Sequence, residues 1–157
     1  MTTNAADLRT KTNSLKNIIN HFKSSVFSVQ ETHYKKKGKF KLDNYAIFEA
    51  IRKKEGGGSL LGVHVALNPV LISEYSDEIE LIVVEISIEQ YKIRVITGYG
   101  PQEVWNLDVK MKFFLALEEE VAKATIEGRS VILMGDMNSK LGPNYIKKDP
   151  KTMTGNG

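Results

Sequence analysis

The sequence predicts a mixed α/β domain of the α+β kind, in which helices cover a sheet of short strands. Two stretches have the apolar spacing of amphipathic helices, and about five short β-favouring runs lie between them. The chain has 157 residues, enough for one domain with a sizeable core and too few for two comfortable ones. Its 41% hydrophobic and 26% charged residues are typical of a globular protein.

The helices are predicted at residues 7–22 and 106–126, each with an apolar face and a polar face. Gly128 follows the second helix as its stop signal. The predicted strands cover residues 26–31, 45–51, 60–67, 80–88, 91–96 and 131–134. The strands at 80–88 and 91–96 are expected to pair as a hairpin.

The composition argues against several classes of protein. The chain contains no apolar run of about 18 residues, so no membrane span is predicted. Its first residues lack the apolar centre of a secretory signal, which predicts an intracellular protein. Because there is no cysteine, a disulfide framework and a thiolate metal site are excluded. The three histidines show no ligand spacing, so oxygen ligands and a hard cation such as Mg²⁺, with Mn²⁺ possible, are expected.

Basic residues are concentrated in two short stretches, although the net charge is only +3. A clustered basic face attracts a polyanion by releasing counterions, which would suit a nucleic acid. Solvated loop lysines that keep the protein in solution are the alternative interpretation. The candidate nucleic-acid-binding residues are Lys35, Lys36, Lys37, Lys39 and Arg52, with Lys41, Lys53 and Lys54 beside them.

Polar side chains with hydrolytic potential follow two predicted strands. Glu31 closes the first strand, and Asp136 and Asn138 follow the last one, next to Gly135. Side chains at i and i+2 of an extended chain point the same way, so Asp136 and Asn138 are expected to lie together. Such a pair can orient a water and accept its proton, as phosphodiester hydrolysis requires. A surface glutamate and an Asx turn remain the alternatives.

Two further residues are weaker candidates. Tyr99 stands between two glycines and before a proline at a strand exit, and we expect it to be exposed and rigidly aimed. Its hydroxyl could donate to a phosphate oxygen, although a tyrosine packed on a turn is the alternative. Asn4 lies just before the first helix, where it could equally be a capping residue.

The order of these motifs resembles the endonuclease/exonuclease/phosphatase superfamily, whose members have a DNase I-like fold. Asn4 comes first, followed by QET at 30–32, GYGP at 98–101 and GDMN at 135–138. Each motif is short, and the order with these flanking strands makes the resemblance more specific. The forms QETH and GDMNSKLG look most similar to the endonuclease modules of non-LTR retrotransposons and their domesticated relatives.

The resemblance implies a partial four-layer α-β-β-α sandwich and a role for each candidate residue. Glu31 would bind the divalent metal. Asp136 would position or deprotonate the attacking water, and Asn138 would hold that arrangement. Tyr99 and Asn4 would contact the scissile phosphate or support the metal shell.

The chain departs from the family pattern in two places. Ala6 stands where many members have an acidic residue, which would thin the outer shell of the metal. Nothing after Asn138 matches the later Asp-x-Asn-type element or Asp-His pair of the family. Residues 1–157 are therefore expected to be the N-terminal two-thirds of one domain, C-terminally truncated and lacking its last strands. A missing segment or a reverse-transcriptase domain would follow.

The resulting hypothesis is a magnesium-dependent endonuclease that acts on DNA, weak or inactive as this fragment. It would reside in the nucleus if it derives from a retroelement. Inositol-phosphate phosphatases and sphingomyelinases are the alternatives within the superfamily. A non-catalytic, degenerate relative that binds nucleic acid or another protein is the second class, and a gene remnant without a function is the third.

Overall fold

The computed structural model describes residues 1–52 and 56–138, and within them two four-stranded sheets and two α-helices. The helices are α1 (Leu8–Phe22) and α2 (Leu107–Ile126). The strands are β1 (Thr2–Asn4), β2 (Val26–Gln30), β3 (Tyr45–Ala50), β4 (Ser59–His64), β5 (Val70–Tyr75), β6 (Glu80–Ile88), β7 (Tyr91–Tyr99) and β8 (Ser130–Asp136). Lys53, Lys54 and the predicted polar tail lie outside the described residues.

The elements stack in four layers, α-β-β-α. The first sheet has the order β1-β2-β4-β3 and the second β5-β6-β7-β8, with parallel pairing only in β1–β2 and β7–β8. Helix α1 packs on the first sheet through Leu15 and Ile19, while α2 packs on the second through Phe113. Between the sheets lies a third apolar cluster that includes Leu61 and Val84. The predicted sandwich is therefore confirmed in its layers.

Both predicted helices and the hairpin between β6 and β7 are confirmed. The sequence prediction missed β1 and β5. The three residues of β1 are too short and polar to carry an alternating pattern, and β5 has a register irregularity between Leu71 and Ser73 that breaks its alternation. The predicted strand at 60–67 ends at His64, because residues 65–67 turn into a 3-10 helix before Pro69.

The far end of the second sheet is held by a cluster of charges around Glu85. Burial alone would raise the pKa of Glu85, but hydrogen bonds from Lys92, Arg129 and Arg94 outweigh it and lower the pKa to about 2. The carboxylate is therefore better stabilised in the folded chain than in the unfolded one. This gain is present above the ordinary pKa of 4.5 and is lost as the pH falls through about 2.

We accordingly expect Glu85→Gln to lower the free energy of unfolding by about 2 kcal/mol at pH 7. The loss should shrink as the pH falls below 4.5, which urea unfolding at pH 7 and at pH 3 would measure. Glu78→Gln, which breaks an exposed pair with Lys112, is the matched control and should cost much less, because solvent screens exposed charges. Equal losses for both variants at pH 7 would contradict the assignment.

None of the helices within residues 1–52 and 56–138 has the length and apolar character needed to cross a bilayer.

Candidate active site

The candidate residues converge at the ends of four neighbouring strands. Parallel pairing places Asn4 beside Gln30 in the first sheet and Tyr99 beside Asp136 in the second. The two sheets meet here around an open cavity of about 640 Å³, which is lined by Asn4, Gln30, Asp136 and Asn138 among others. Strand tips that are far apart in the sequence therefore share one cleft.

Glu31 is aimed away from its strand by a left-handed backbone, with a φ of 56°. Such a conformation is costly for a residue with a Cβ and persists only where the surroundings impose it. Here the Glu31 carbonyl accepts the N–H of Asp7 at 3.0 Å, and the neighbouring carbonyl of Gln30 accepts the N–H of Ala5 at 2.9 Å. The loop before α1 thus fixes the direction of the Glu31 side chain.

Tyr99 joins the two sheets by donating its hydroxyl hydrogen to Oε1 of Glu31 at 2.6 Å. This bond is the main reason that the pKa of Glu31 lies below its usual range, and a bond from Asn4 adds to the effect while burial opposes it. The charge of nearby His33 acts in the same direction. Glu31 is therefore an ionised carboxylate held in a fixed orientation.

The environment of Tyr99 differs from the expected exposed position. Its side chain is only 3% exposed, and Nε2 of Gln102 donates to its hydroxyl oxygen at 3.1 Å. Burial raises the pKa of Tyr99, and the bond to Glu31 raises it further, so the phenol remains a donor at neutral pH. The glycines on either side let the strand end pack closely, which buries the ring instead of presenting it.

Asp136 and Asn138 form the Asx turn of the alternative interpretation, and both residues also line the cleft. Oδ1 of Asp136 accepts the backbone N–H of Asn138 at 3.0 Å. The side-chain amide of Asn138 donates to the carbonyl of Gly100 at 2.7 Å, and its φ of 47° is one that asparagine tolerates. The turn therefore holds the carboxylate of Asp136 at the mouth of the cavity.

Gly135 provides the close approach between strand ends on which this turn depends. It has a φ of +117°, and a Cβ there would lie 2.1 Å from the carbonyl oxygen of Gly98. Because that oxygen belongs to the backbone, it cannot move without shifting β7. We expect Gly135→Ala to lower the free energy of unfolding by at least about 2 kcal/mol, as measured by urea denaturation.

Gly38→Ala is the matched control for this prediction. Gly38 also has a positive φ, of +75°, but a Cβ there would meet nothing within 4 Å. Gly38→Ala should lower the free energy of unfolding by only about 1 kcal/mol, because it loses only the preference of glycine for a positive φ. If both variants lose the same stability, close packing of the two strand ends is not what Gly135 supplies.

The donor set fits a hard divalent cation. A glutamate carboxylate has about four lone-pair positions, so the bond from Tyr99 leaves acceptor capacity on Glu31. Within the described residues, no group of three or more His, Asp or Glu side chains is arranged as a complete metal site. Mg²⁺ is commonly held by one or two carboxylates with waters and substrate phosphates, so an incomplete protein shell is compatible with it.

The predicted basic residues separate into two environments. Lys35, Lys36, Lys37 and Lys39 are exposed on one loop, where Lys37 also pairs with Glu74 at 2.6 Å. Arg52 does not belong to a basic surface. It is 6% exposed and pairs with Glu80, because the chain turns inward after β3 and places its guanidinium beneath the site.

Sequence reasoning missed several polar residues that support the cleft. Gln30 bonds to Ser28 at 2.5 Å, and Ser28 bonds to Thr97 of the other sheet. Ser28 and Gln30 lie two positions apart on β2, so their side chains point to the same face. Two polar side chains on one face of an otherwise apolar strand were the signal that could have identified them. Gln102 gave no such signal, since it lies in a loop.

Residues 2–151 match the model of the Endonuclease/Exonuclease/phosphatase family, which is most of the chain. The chain belongs to this family. Divalent-metal phosphodiester hydrolysis is the chemistry typical of that family. No curated protein sequence matches the chain.

Several solved structures are similar to this member of the family. The AP endonuclease of Leishmania major has a TM-score of 0.70 and 15% identity, with 86% of this chain and 53% of that one covered. A 3′ phosphatase from Neisseria bound to product DNA hairpin has a TM-score of 0.65 and 16% identity, with 90% of this chain and 58% of that one covered. The endonuclease domain of TRAS1, a telomere-specific non-LTR retrotransposon, has a TM-score of 0.60 and 16% identity, with 89% of this chain and 60% of that one covered.

At these identities the similarity establishes the DNase I-like fold. The chain spans between 53% and 60% of the length of these three structures.

Proposed function

We propose that the chain is a metal-dependent phosphodiesterase module whose substrate is DNA. The observation that carries this proposal is the 2.6 Å hydrogen bond from Tyr99 to Glu31, which joins the two sheets beside the cleft of Asp136 and Asn138. Two carboxylates near this cavity can serve different roles: that of Glu31, which is ionised and held by Tyr99, and that of Asp136, which lines the cavity. The first would hold a cation and the second a water.

Glu31 would hold the metal, with Asn4 supporting it through their side-chain hydrogen bond. When bound, a divalent cation would supply positive charge to the phosphoryl oxygens. Tyr99 keeps the carboxylate of Glu31 oriented. The carboxylate of Asp136 would accept a proton from the attacking water, and the bond from the N–H of Asn138 holds that carboxylate in place.

We further propose that this chain turns over slowly. Phosphodiester hydrolysis needs groups that stabilise the charge developing on the phosphoryl oxygens. Among the described residues that line the cleft, none is a lysine, an arginine or a histidine. The described lining thus adds no cationic side chain to the charge that a bound cation would supply, and on this ground we expect rates well below those of enzymes that have such a group.

Nicking of supercoiled plasmid tests the proposal. With Mg²⁺ or Mn²⁺ we expect slow conversion to open circles that stops on addition of EDTA. A complete lack of product after prolonged incubation with both metals would refute hydrolysis of DNA. Turnover as fast as that of nucleases with an added cationic group in the cleft would instead refute the proposal of slow activity.

DNA is proposed as the substrate because the exposed lysine loop lies directly after Glu31 in the chain. The Neisseria phosphatase is bound to a DNA hairpin, which agrees with this choice. We also propose that residues 1–157 belong to a single domain. A retroelement origin, with a downstream reverse-transcriptase domain and a nuclear location, is a finer proposal that rests on the motif forms and the similarity to TRAS1.

A non-catalytic nucleic-acid-binding module is a second candidate, favoured by how the lysine loop is built. Oε2 of Glu49 accepts the N–H of Gly38 at 2.5 Å, and Phe40 inserts its ring into the core at 1% exposure. The loop is thus fixed without any contribution from the metal site. DNA binding that persists in Glu31→Gln with EDTA, without hydrolysis by the unmodified chain, would favour this candidate.

A further inference from the structure

A buried ion pair lies directly behind the candidate active site. Nε of Arg52 is 2.6 Å from Oε1 of Glu80, and their side chains are 7% and 0% exposed. Removing two charges from water is expensive, and burial raises the pKa of Glu80 to about 7 although Arg52 opposes this. Apolar side chains of similar volume are often at least as stabilising. Stability alone therefore does not explain this pair, and its contacts point to another role.

Glu80 supports the segment that carries Glu31. Its Oε2 accepts the N–H of Gly58 at 2.8 Å and the hydroxyl of Ser59 at 3.2 Å. The carbonyl of Gly58 in turn accepts the N–H of Thr32 at 3.0 Å, one residue after Glu31. The carbonyl of Gly57 accepts the backbone N–H of His33 at 2.9 Å. A shift of the Glu80 carboxylate would therefore be transmitted to the backbone that aims Glu31.

Arg52 supports the other partner of the hydrogen bond. Its guanidinium carbon lies 5.9 Å from the centroid of the Tyr99 ring and 4.4 Å from that of Trp105. A planar cation between aromatic faces restrains both rings. Glu80 is also the direct cross-strand neighbour of Tyr99 in the β6–β7 ladder. The pair thus contacts the surroundings of both groups that form the hydrogen bond between the two sheets.

The loop at residues 56–58, which consists of three glycines, packs closely against Arg52 and Glu80. Gly57 has a φ of +69°, and a Cβ there would lie 2.5 Å from Oε1 of Glu80 and 2.9 Å from the guanidinium of Arg52. The backbone therefore approaches the two charged groups as closely as a residue without a side chain allows. Few alternative positions remain for either charge.

We infer that Arg52 and Glu80 are positioning residues, which hold the hydroxyl of Tyr99 and the carboxylate of Glu31 at bonding distance. The inference rests on the proposed function only in that this hydrogen bond belongs to a hydrolytic site. Arg52 acts through the ring of Tyr99, and Glu80 acts through the loop behind Thr32. Neither side chain lines the cleft.

Fluorine NMR of the chain labelled with 3-fluorotyrosine tests this inference without any measurement of activity. The chain has six tyrosines, and loss of one signal in Tyr99→Phe assigns the resonance of interest. The chemical shift of the Tyr99 resonance in Glu31→Ala gives the reference position, in which the hydrogen-bond acceptor is absent. We expect Arg52→Met to move the resonance at least half of the way from the wild-type position to that reference position.

Arg94→Met is the matched control. Arg94 is 2% exposed and also forms a buried ion pair, with Glu85 at 3.3 Å, but at the other end of the same sheet. It should lose comparable stability and leave the Tyr99 resonance unchanged. If both arginine variants move the resonance equally, the effect is a general loosening of the fold and the inference is wrong.

Arg52→Lys and Glu80→Gln keep the test decisive if Arg52→Met does not fold. Lysine retains the charge beside Glu80 but not the planar guanidinium, so an intermediate displacement is expected. An unmoved Tyr99 resonance in folded Arg52→Lys and Glu80→Gln would overturn the inference. Failure of the wild-type chain to nick plasmid would refute the proposed function and leave this result intact.

Discussion

Asp136→Asn is expected to reduce the rate of plasmid nicking by at least about 100-fold, the usual contribution of a positioned general base. Asparagine has nearly the same shape as aspartate and keeps an oxygen that can accept the N–H of Asn138, now 3.0 Å from Oδ1. The turn should therefore persist while the proton acceptor is lost. A loss that resides in kcat, with KM little changed, would identify a group that acts in the reaction and not in binding.

The control for this variant is Asp43→Asn, which makes the same change of charge in an exposed loop. Asp43 lines a separate cavity with Lys23 and His64, which shares no lining residue with the cleft. Its nicking rate should match that of the unmodified chain. Nicking that survives in Asp136→Asn would exclude Asp136 as the base, whatever the other residues of the cleft contribute.

The parts of this site that could be predicted from the sequence are those that depend on local chain geometry. Glu31, Asp136 and Asn138 each follow a short apolar run, and side-chain alternation along a strand was sufficient to place them at strand ends. That Asp136 and Asn138 line a cleft close to Glu31 depends on the pairing order of two sheets. The order of motifs suggested this arrangement only through resemblance to a family.

Burial of polar groups could not be predicted, because it depends on contacts distant in the sequence. Arg52 follows an alternating strand and precedes two lysines, a pattern typical of a solvated basic stretch. Its partner Glu80 lies 28 positions later at the start of β6, and only the packing of the two sheets brings them together. Tyr99 was similarly expected at the surface, since its flanking glycines indicate a turn but not what covers it.

Glu31→Gln is expected to abolish the stabilisation of the chain by Mg²⁺ or Mn²⁺. A ligand that binds only the folded chain raises its stability in proportion to the logarithm of its concentration over Kd. For the unmodified chain, we therefore expect Tm to rise with metal concentration. Glutamine keeps an oxygen that can accept the hydroxyl hydrogen of Tyr99, now 2.6 Å away, but lacks the negative charge that a hard cation requires. Differential scanning calorimetry over a metal titration measures both effects.

Glu89→Gln, an exposed carboxylate in the β6–β7 turn, separates a specific metal site from general attraction of cations. Its response to metal should equal that of the unmodified chain. If Glu31→Gln still gains the same Tm as the unmodified chain, the metal lies elsewhere or is absent. The bond between Glu31 and Tyr99 would then be a structural tie between the sheets, and the four strand tips would converge without forming a catalytic centre.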